Sequence, residues 1–254
     1  IIEGGSGRGG AFIQQPLHLR MFGASGQGGT ITAIGPGLLG NLVAAYRFNG
    51  DVTDAIASND LTINGTESYD AGIVGQGFLF DGATYLSHAS ATAFEMGEID
   101  YTISLIFRWE GAGTLVGKFA DPFDYEPEYL IQTQSNEGAI ALVYQIFNTA
   151  ISLNLGSEFD IFGQYFQAVA WHSMTADEVG LWVKNYDTGA EQISTALRTS
   201  QAVSNTTEFR VGGNVTNAGS GTVIDALHIW KDRVLSEADR NALFNDGNGA
   251  EYPF

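Results

Sequence analysis

Two acidic residues, Glu98 and Asp100, are two positions apart, the spacing at which two carboxylates on one strand can act together on a substrate. Alternate residues of a β-strand share one face, so a Glu-x-Asp-x-Glu strand can hold a nucleophile and an acid/base around a glycosidic bond. The position that needs the second glutamate is Thr102, whose hydroxyl cannot protonate a leaving group. The sequence therefore favours a protein that is not an enzyme, and glycosidase activity is the less favoured alternative.

Other catalytic patterns are missing from the sequence. The chain has no cysteine and four histidines, and no two histidines have the H-x-x-x-H spacing of a zinc enzyme. It contains no G-x-S-x-G nucleophile motif, and no Gly-Lys-Ser/Thr of a phosphate-binding loop follows the glycine runs. His172 and His228 fall in or beside strand patterns, and we expect them to be packed or surface residues.

The segment 121–129 combines four carboxylates with three aromatic rings and contains two prolines. Aromatic faces can stack on the apolar side of a pyranose, and carboxylates accept hydrogen bonds from its hydroxyls. Loops between strands often carry such sites, although a solvated acidic loop is the alternative interpretation. The predicted ligand-binding residues are Asp121, Phe123, Asp124, Tyr125, Glu126 and Tyr129.

The composition limits the partners that the chain can bind. Its 29 acidic and 11 basic residues give a net charge of −18, which repels phosphate and therefore disfavours nucleic acids and anionic membranes. Its apolar runs are too short to span a bilayer. A hydrophobic fraction of 44% supplies a core, so global disorder is not expected.

From residue 41 onward, short β-branched and aromatic segments alternate with turn signals such as Asn49-Gly50 and Asp81-Gly82. Long helical patterns do not separate them. The fold class is therefore predicted to be all-β, a two-sheet antiparallel jelly-roll sandwich. The four tryptophans fall in strand patterns and are expected in the core. The predicted strands include 102–109, 138–147, 166–172, 179–184, 208–212 and 223–230.

The two ends of the chain depart from the strand pattern. Ser236 and Asp239 can form a capping box and Gly247 can provide a left-handed end, which predicts one short C-terminal helix closing an end of the sandwich.

Residues 1–40 hold 12 of the 33 glycines around an apolar stretch, which predicts a Gly-rich N-terminal arm or anchor. An expression leader or a covering strand is the alternative. The predicted jelly-roll domain is 41–254.

Several motifs follow one another in a fixed order along this domain. Residues 75–82 have the form G-x-G-hydrophobic-x-F-D-G, and residues 223–230 have the form hydrophobic-D-x-hydrophobic. The chain resembles the laminin-G-like, concanavalin A-like jelly-roll family (lectin/glucanase superfamily), found in many secreted and phage proteins. The segments that carry the resemblance are 42–48, 51–54, 59–62, 75–82, 85–86, 101–109, 166–171, 181–183, 223–230, 235–236 and 243–244.

The resemblance implies a binding module for glycans or proteins. It also implies that Asp81 and Asp225 occupy positions where related jelly rolls often have calcium-binding or strand-pinning acids. Ca²⁺ takes six to eight oxygen ligands and is the candidate cofactor. The alternative is that both side chains cap backbone amides.

Together these observations predict a non-enzymatic virion protein, such as a phage fibre, spike or capsid decoration. Its jelly roll would be displayed on the virion surface and bind host-cell glycans. Residues 1–40 would join it to other virion proteins or to further copies in a homo-oligomer. The alternative is a secreted bacterial carbohydrate-binding or adhesin module.

Overall fold

The computed structural model describes residues 37–89, 92–119, 127–199, 204, 206–213 and 216–254. They belong to one compact unit that spans Ile34–Phe254. Residues 1–36 of the predicted arm lie outside the described residues. The described part contains fifteen strands and two α-helices: β1 (Leu42–Tyr46), β2 (Thr62–Asn64), β3 (Tyr69–Ala71), β4 (Gln76–Leu79), β5 (Tyr85–His88), β6 (Tyr101–Arg108), β7 (Gly113–Phe119), β8 (Pro127–Asn136), β9 (Ala139–Ile146), β10 (Thr149–Ser157), α1 (Glu158–Ile161), β11 (Tyr165–Ser173), β12 (Glu178–Asn185), β13 (Glu191–Leu197), β14 (Phe209–Val211), β15 (Val223–Lys231) and α2 (Glu237–Phe244).

The strands form two antiparallel sheets. Sheet A has the order β13-β12-β11-β6-β15-β4-β3, and β1 also pairs with β15. Sheet B has the order β10-β9-β8-β7-β14-β5-β2. Because strands distant in sequence lie side by side, the two sheets form the predicted jelly-roll sandwich, and the all-β prediction is confirmed. In the described part of the chain, no helix is long and apolar enough to cross a membrane.

The main core lies between the two sheets. On β6, alternate residues Tyr101, Ile103, Leu105 and Phe107 belong to this apolar cluster, as the two-residue period of a strand requires. The register partners of Ile103, Leu105 and Phe107 on β11 and β15, among them Ala168 opposite Leu105, belong to the same cluster. The alternation read from the sequence therefore identifies which side chains face the opposite sheet.

A second apolar cluster covers the outer face of sheet A. Trp171, Trp182 and Trp230 from three strands pack there with Leu243 and Phe244 of α2. The remaining tryptophan, Trp109, is in the main core, so the prediction that all four are buried is confirmed. Sheet A is therefore apolar on both faces.

The C-terminal helix differs from its prediction in three respects. Ser236 and Asp239 form the expected capping box, but the left-handed cap is Asn245 and not Gly247. The Asn245 side chain stabilises that turn by donating to the backbone oxygen of Gly249, at 2.9 Å. The helix lies on the outer face of sheet A, where its apolar side is buried, instead of closing an end. The single helix expected from the sequence also has a companion, the one-turn α1.

Segments at both ends of the described unit complete the outer cluster. Leu38, just before β1, is buried, and its backbone oxygen accepts a hydrogen bond from the Trp230 indole at 2.7 Å. At the other end, the Nε2 atom of His228 accepts from the backbone amide of Tyr252 at 3.3 Å, and the Phe254 ring lies 5.0 Å from the imidazole. The end segment thus seals His228 from solvent.

Burial of His228 predicts a specific acid sensitivity. The apolar surroundings lower its pKa from 6.5 to about 3, because they disfavour the imidazolium. A histidine whose pKa is lowered by folding contributes stability that is present above pH 6.5 and is lost as the pH falls toward 3. Relative to a variant that cannot ionise at position 228, the unfolding free energy of the wild type should therefore fall by up to about 5 kcal/mol over this range, as measured by urea denaturation.

The variant His228→Gln keeps an acceptor but cannot ionise, so most of this slope should disappear. The variant His88→Gln, at a partly exposed histidine, is the matched control and should keep the wild-type slope. Identical slopes for wild type and His228→Gln would contradict the assignment.

Candidate functional site

The acidic aromatic segment predicted to bind ligand is only partly visible. Asp121, Phe123, Asp124, Tyr125 and Glu126 lie outside the described residues. Tyr129 is described, and its side chain is fully buried in the main core. Its hydroxyl donates to the backbone oxygen of Phe94 at 3.1 Å, so Tyr129 presents no face on which a sugar could stack.

Asp81, a predicted calcium ligand, organises its own turn. Its Oδ1 atom accepts from the backbone amides of Ala83 and Thr84, at 2.9 and 2.7 Å. These hydrogen bonds hold the pKa of the Asp81 carboxyl below its usual range, because they favour the charged form. With Ser220, Asp81 also lines an open pocket.

Asp225, the other predicted calcium ligand, is buried and pins a different loop. Its Oδ2 atom accepts from the amides of Ile73 and Val74, at 2.8 and 2.9 Å. Burial outweighs these hydrogen bonds and raises its pKa to about 6. Among the residues described, no three His, Asp or Glu side chains are grouped as a metal site. The geometry is that of strand pinning, and calcium binding stays a prediction.

Glu98 and Asp100 do not lie on one strand. They belong to the turn before β6, which begins at Tyr101, so the two carboxylates do not share one face of a strand. Glu98 forms an ion pair with Arg198. Asp100 accepts from the backbone amide of Met174 at 2.6 Å. Both carboxylates thus hold neighbouring segments together.

A cleft beside α1 combines apolar and hydrogen-bonding surfaces. It encloses about 210 Å³ where the end of β10, α1 and the β12–β13 turn meet. Because strand ends and turns meet here, side chains from two separated stretches of the chain, 155–166 and 183–192, converge. We call it the α1 cleft, and its lining residues are Leu155, Gly156, Asp160, Ile161, Gln164, Phe166, Val183, Asn185, Thr188, Ala190 and Gln192.

The α1 turn places two aromatic rings at this end of the sandwich. Ser157 caps the turn by accepting from the Asp160 amide at 3.3 Å, and Ile161 is buried below it. Phe159 is 94% exposed and Phe162 is 59% exposed. Exposed apolar side chains that lie close together often mark an interaction site.

The polar groups of the cleft are held in place by hydrogen bonds. Gln164 donates to the backbone oxygen of Asp160 at 2.7 Å, and Asn185 donates to the Gln164 side-chain oxygen at 2.7 Å. Gln192 donates to the backbone oxygen of Asn154 at 2.6 Å. Amides and the Thr188 hydroxyl can both donate and accept. Among the described residues, Asp160 is the one charged side chain that lines the cleft, so the chemistry suits a neutral, polyhydroxylated ligand.

Sequence reasoning missed the α1 cleft. The local signal was present, because Ser157 is followed three residues later by Asp160, a capping pattern that starts a helical turn. Phe159 and Phe162 precede Gly163, and a turn this short cannot bury both rings. The contributions of Asn185 and Gln192 could not be read locally, since they depend on how the strands are ordered in the sheet.

Comparisons by sequence find no relative: no protein-family model and no curated protein matches the chain. Solved structures do match its fold. Domain 4 of AbnA, an extracellular arabinanase of Geobacillus stearothermophilus solved with arabinotriose, is 17% identical, with a TM-score of 0.58 over 79% of this chain and 97% of that domain. Botulinum neurotoxin type C, whose cell entry depends on two ganglioside molecules, is 11% identical, with a TM-score of 0.58 over 82% of this chain and 51% of that chain.

A phage protein is also similar. The enzymatically active domain of tailspike protein 2 from bacteriophage CBA120 is 15% identical, with a TM-score of 0.52 over 73% of this chain and 30% of that chain. Our chain thus spans nearly all of the arabinanase domain but only about half of the toxin chain and a third of the tailspike chain. At these identities the likeness concerns the fold, a jelly roll shared by carbohydrate-binding, toxin and tailspike proteins.

The raised pKa of Asp225 generates a pH prediction. An acid whose pKa is raised by folding contributes stability that is present below pH 4 and is lost as the pH rises through 6. Since Asp225→Asn cannot ionise, the unfolding free energy of the wild type relative to this variant should decrease by about 3 kcal/mol between pH 4 and pH 6.5.

Asp81→Asn is the control, because the pKa of Asp81 is lowered and its stability contribution is lost as the pH falls. Urea denaturation at several pH values measures both differences. A constant difference between wild type and Asp225→Asn would contradict the assignment.

Proposed function

We propose that this protein is a non-catalytic, glycan-binding jelly roll displayed on a phage particle, and that the α1 cleft is its binding site. The observation that carries the proposal is the pair of exposed rings, Phe159 and Phe162, on the turn that borders a cleft lined by amides. Aromatic rings bind the apolar face of a sugar, while fixed amide groups pair with its hydroxyls.

Among the described residues, the cleft lining includes no basic side chain, which disfavours negatively charged ligands. A carboxylated sugar, such as a sialic acid, would find Asp160 and no compensating cation there. The net charge of −18 further opposes anionic ligands. We therefore assign neutral pentose or hexose oligosaccharides to the cleft.

One of the similar structures supports a neutral carbohydrate ligand and one supports a phage setting. The arabinanase domain was solved with arabinotriose. The tailspike domain belongs to a bacteriophage. In this proposal, residues 1–40 attach the domain to other virion proteins. Because the chain spans nearly the whole of an arabinanase domain, a secreted carbohydrate-binding module is the second candidate.

Loss of both exposed rings should weaken glycan binding. The variant Phe159→Ala/Phe162→Ala removes the stacking surface, so the dissociation constant for the best ligand on an array of neutral oligosaccharides should rise at least about tenfold, equivalent to 1.4 kcal/mol. Titration calorimetry, with and without calcium, measures the change and tests the cofactor prediction in the same experiment.

Tyr85→Ala is the matched control. Tyr85 is a partly buried aromatic residue of sheet B, away from the cleft, with the Arg210 guanidinium 4.7 Å from its ring centroid. Its removal should leave binding unchanged. No binding of the wild type to any glycan would overturn the glycan assignment, and loss of binding only in Tyr85→Ala would move the site to sheet B.

The structural contacts of Glu98 and Asp100 support a non-catalytic role, because Glu98 Oε2 forms an ion pair and Asp100 Oδ1 accepts a backbone hydrogen bond. We expect no release of reducing sugar from a broad panel of polysaccharides. Glu98→Gln should behave like wild type in this assay and should lose thermal stability, since it breaks the ion pair with Arg198. Turnover by wild type that Glu98→Gln abolishes would establish a glycosidase instead.

A further inference from the structure

Strand β13 forms one edge of sheet A. Its only neighbour in the sheet is β12, so among the described residues no strand pairs with its other side. The seven residues of β13 include no proline or lysine, two residues that commonly protect an exposed edge. An edge of this kind can accept another strand by main-chain hydrogen bonding.

The register of β13 identifies its unpaired backbone groups. At one end the amide of Asn185 donates to the Ala190 oxygen at 2.9 Å, and at the other the amide of Arg198 donates to the Asp177 oxygen at 3.0 Å. In an antiparallel ladder, residues that bond to the neighbouring strand alternate with residues whose groups point away. The outward backbone groups therefore belong to Glu191, Ile193, Thr195 and Leu197.

The side chains of the same residues form an apolar row. Ile193 is 54% exposed and Leu197 is 73% exposed. Ile193 lies directly opposite Trp182 in the register and Thr195 lies opposite Gly180, so Ile193, Thr195 and Leu197 share the outer face of sheet A. Hydrogen-bonding capacity and exposed apolar area thus occur on the same residues.

We propose that β13 pairs antiparallel with β13 of a second copy, with Thr195 on the two-fold axis. A two-fold contact must be self-complementary, and this register places Ile193 of each copy opposite Leu197 of the other. In this register the outward-facing residues of the two strands lie opposite one another and form backbone hydrogen bonds. The two Ile193–Leu197 pairs become shielded from water. Centring the pair on Ser194 instead would set the charge of Glu191 opposite Leu197.

The net charge gives this dimer a distinctive salt dependence. Two copies of charge −18 repel each other, and salt screens that repulsion. The strand pairing itself is made of neutral groups. Self-association should therefore strengthen as the salt concentration rises, whereas a contact held by ion pairs would weaken.

Sedimentation velocity on the full chain, without glycan, tests the dimer. The wild type should sediment as a monomer–dimer mixture that shifts toward dimer with concentration and with salt. Leu197→Lys places a charge in the apolar row, and Thr195→Pro removes the outward amide on the axis while sparing the bonds to β12. Both variants should be monomeric with a wild-type circular dichroism spectrum.

Leu39→Lys is the matched control, because Leu39 is also exposed but lies on the turn before β1. It adds the same charge and should dimerise like wild type. A wild type that is monomeric at all concentrations, or a dimer that survives Leu197→Lys, would overturn the proposal. Because no glycan is present, failure here is separate from failure of the glycan assignment.

Discussion

Burial of sheet A on both faces is the constraint on which the rest of the structure depends. One face meets sheet B through the main core, and the other is covered by α2, the turn at Leu38 and the C-terminal segment. Enclosing a polar group in such a sheet costs free energy unless that group is hydrogen-bonded. Gln167 is hydrogen-bonded at both ends of its amide: it donates to Ser104 at 2.8 Å and accepts from the Tyr186 hydroxyl at 2.8 Å. Trp171 lies so close over Gly180 that a Cβ atom there would be 2.0 Å from the ring, so only glycine fits.

This enclosure also limits the surface that a ligand can reach. The outer face of sheet A is occupied by α2, the turn at Leu38 and the C-terminal segment, whereas the rims, where turns meet strand ends, are a common location of binding sites. The α1 cleft is such a rim site, and its floor includes core residues Phe166 and Val183. Its hydrogen-bonding side chains are fixed by one another and by backbone groups. The rigid sandwich thus supplies an ordered surface without requiring any movement.

The sequence was most informative where a strand is buried. Strands β6, β11, β12 and β15 were all located within a residue or two, because enclosed strands have to be apolar and β-branched. Strands β10 and β13 were not predicted, since edge strands carry polar residues such as Ser152 and Gln192 that resemble loops. The start of β8 was hidden in an acidic, proline-containing segment that was interpreted as a loop.

The site was harder to predict for a similar reason. Its apolar and amide side chains come from residues more than thirty positions apart, and only strand order brings them together. A single sequence records local capping, which located the start of α2, but it does not record pairing between sheet strands.

The α1 cleft and the proposed dimer strand share a residue. Gln192 lines the cleft and is also part of β13. With Thr195 on a two-fold axis, the two copies of Gln192 would be separated by six residues of strand, or about 20 Å along its length. Under both proposals, two clefts at this fixed spacing would together hold a dense array of sugars and would release an isolated sugar chain quickly. Selectivity would then depend on the density of glycans on a surface as much as on the identity of one sugar.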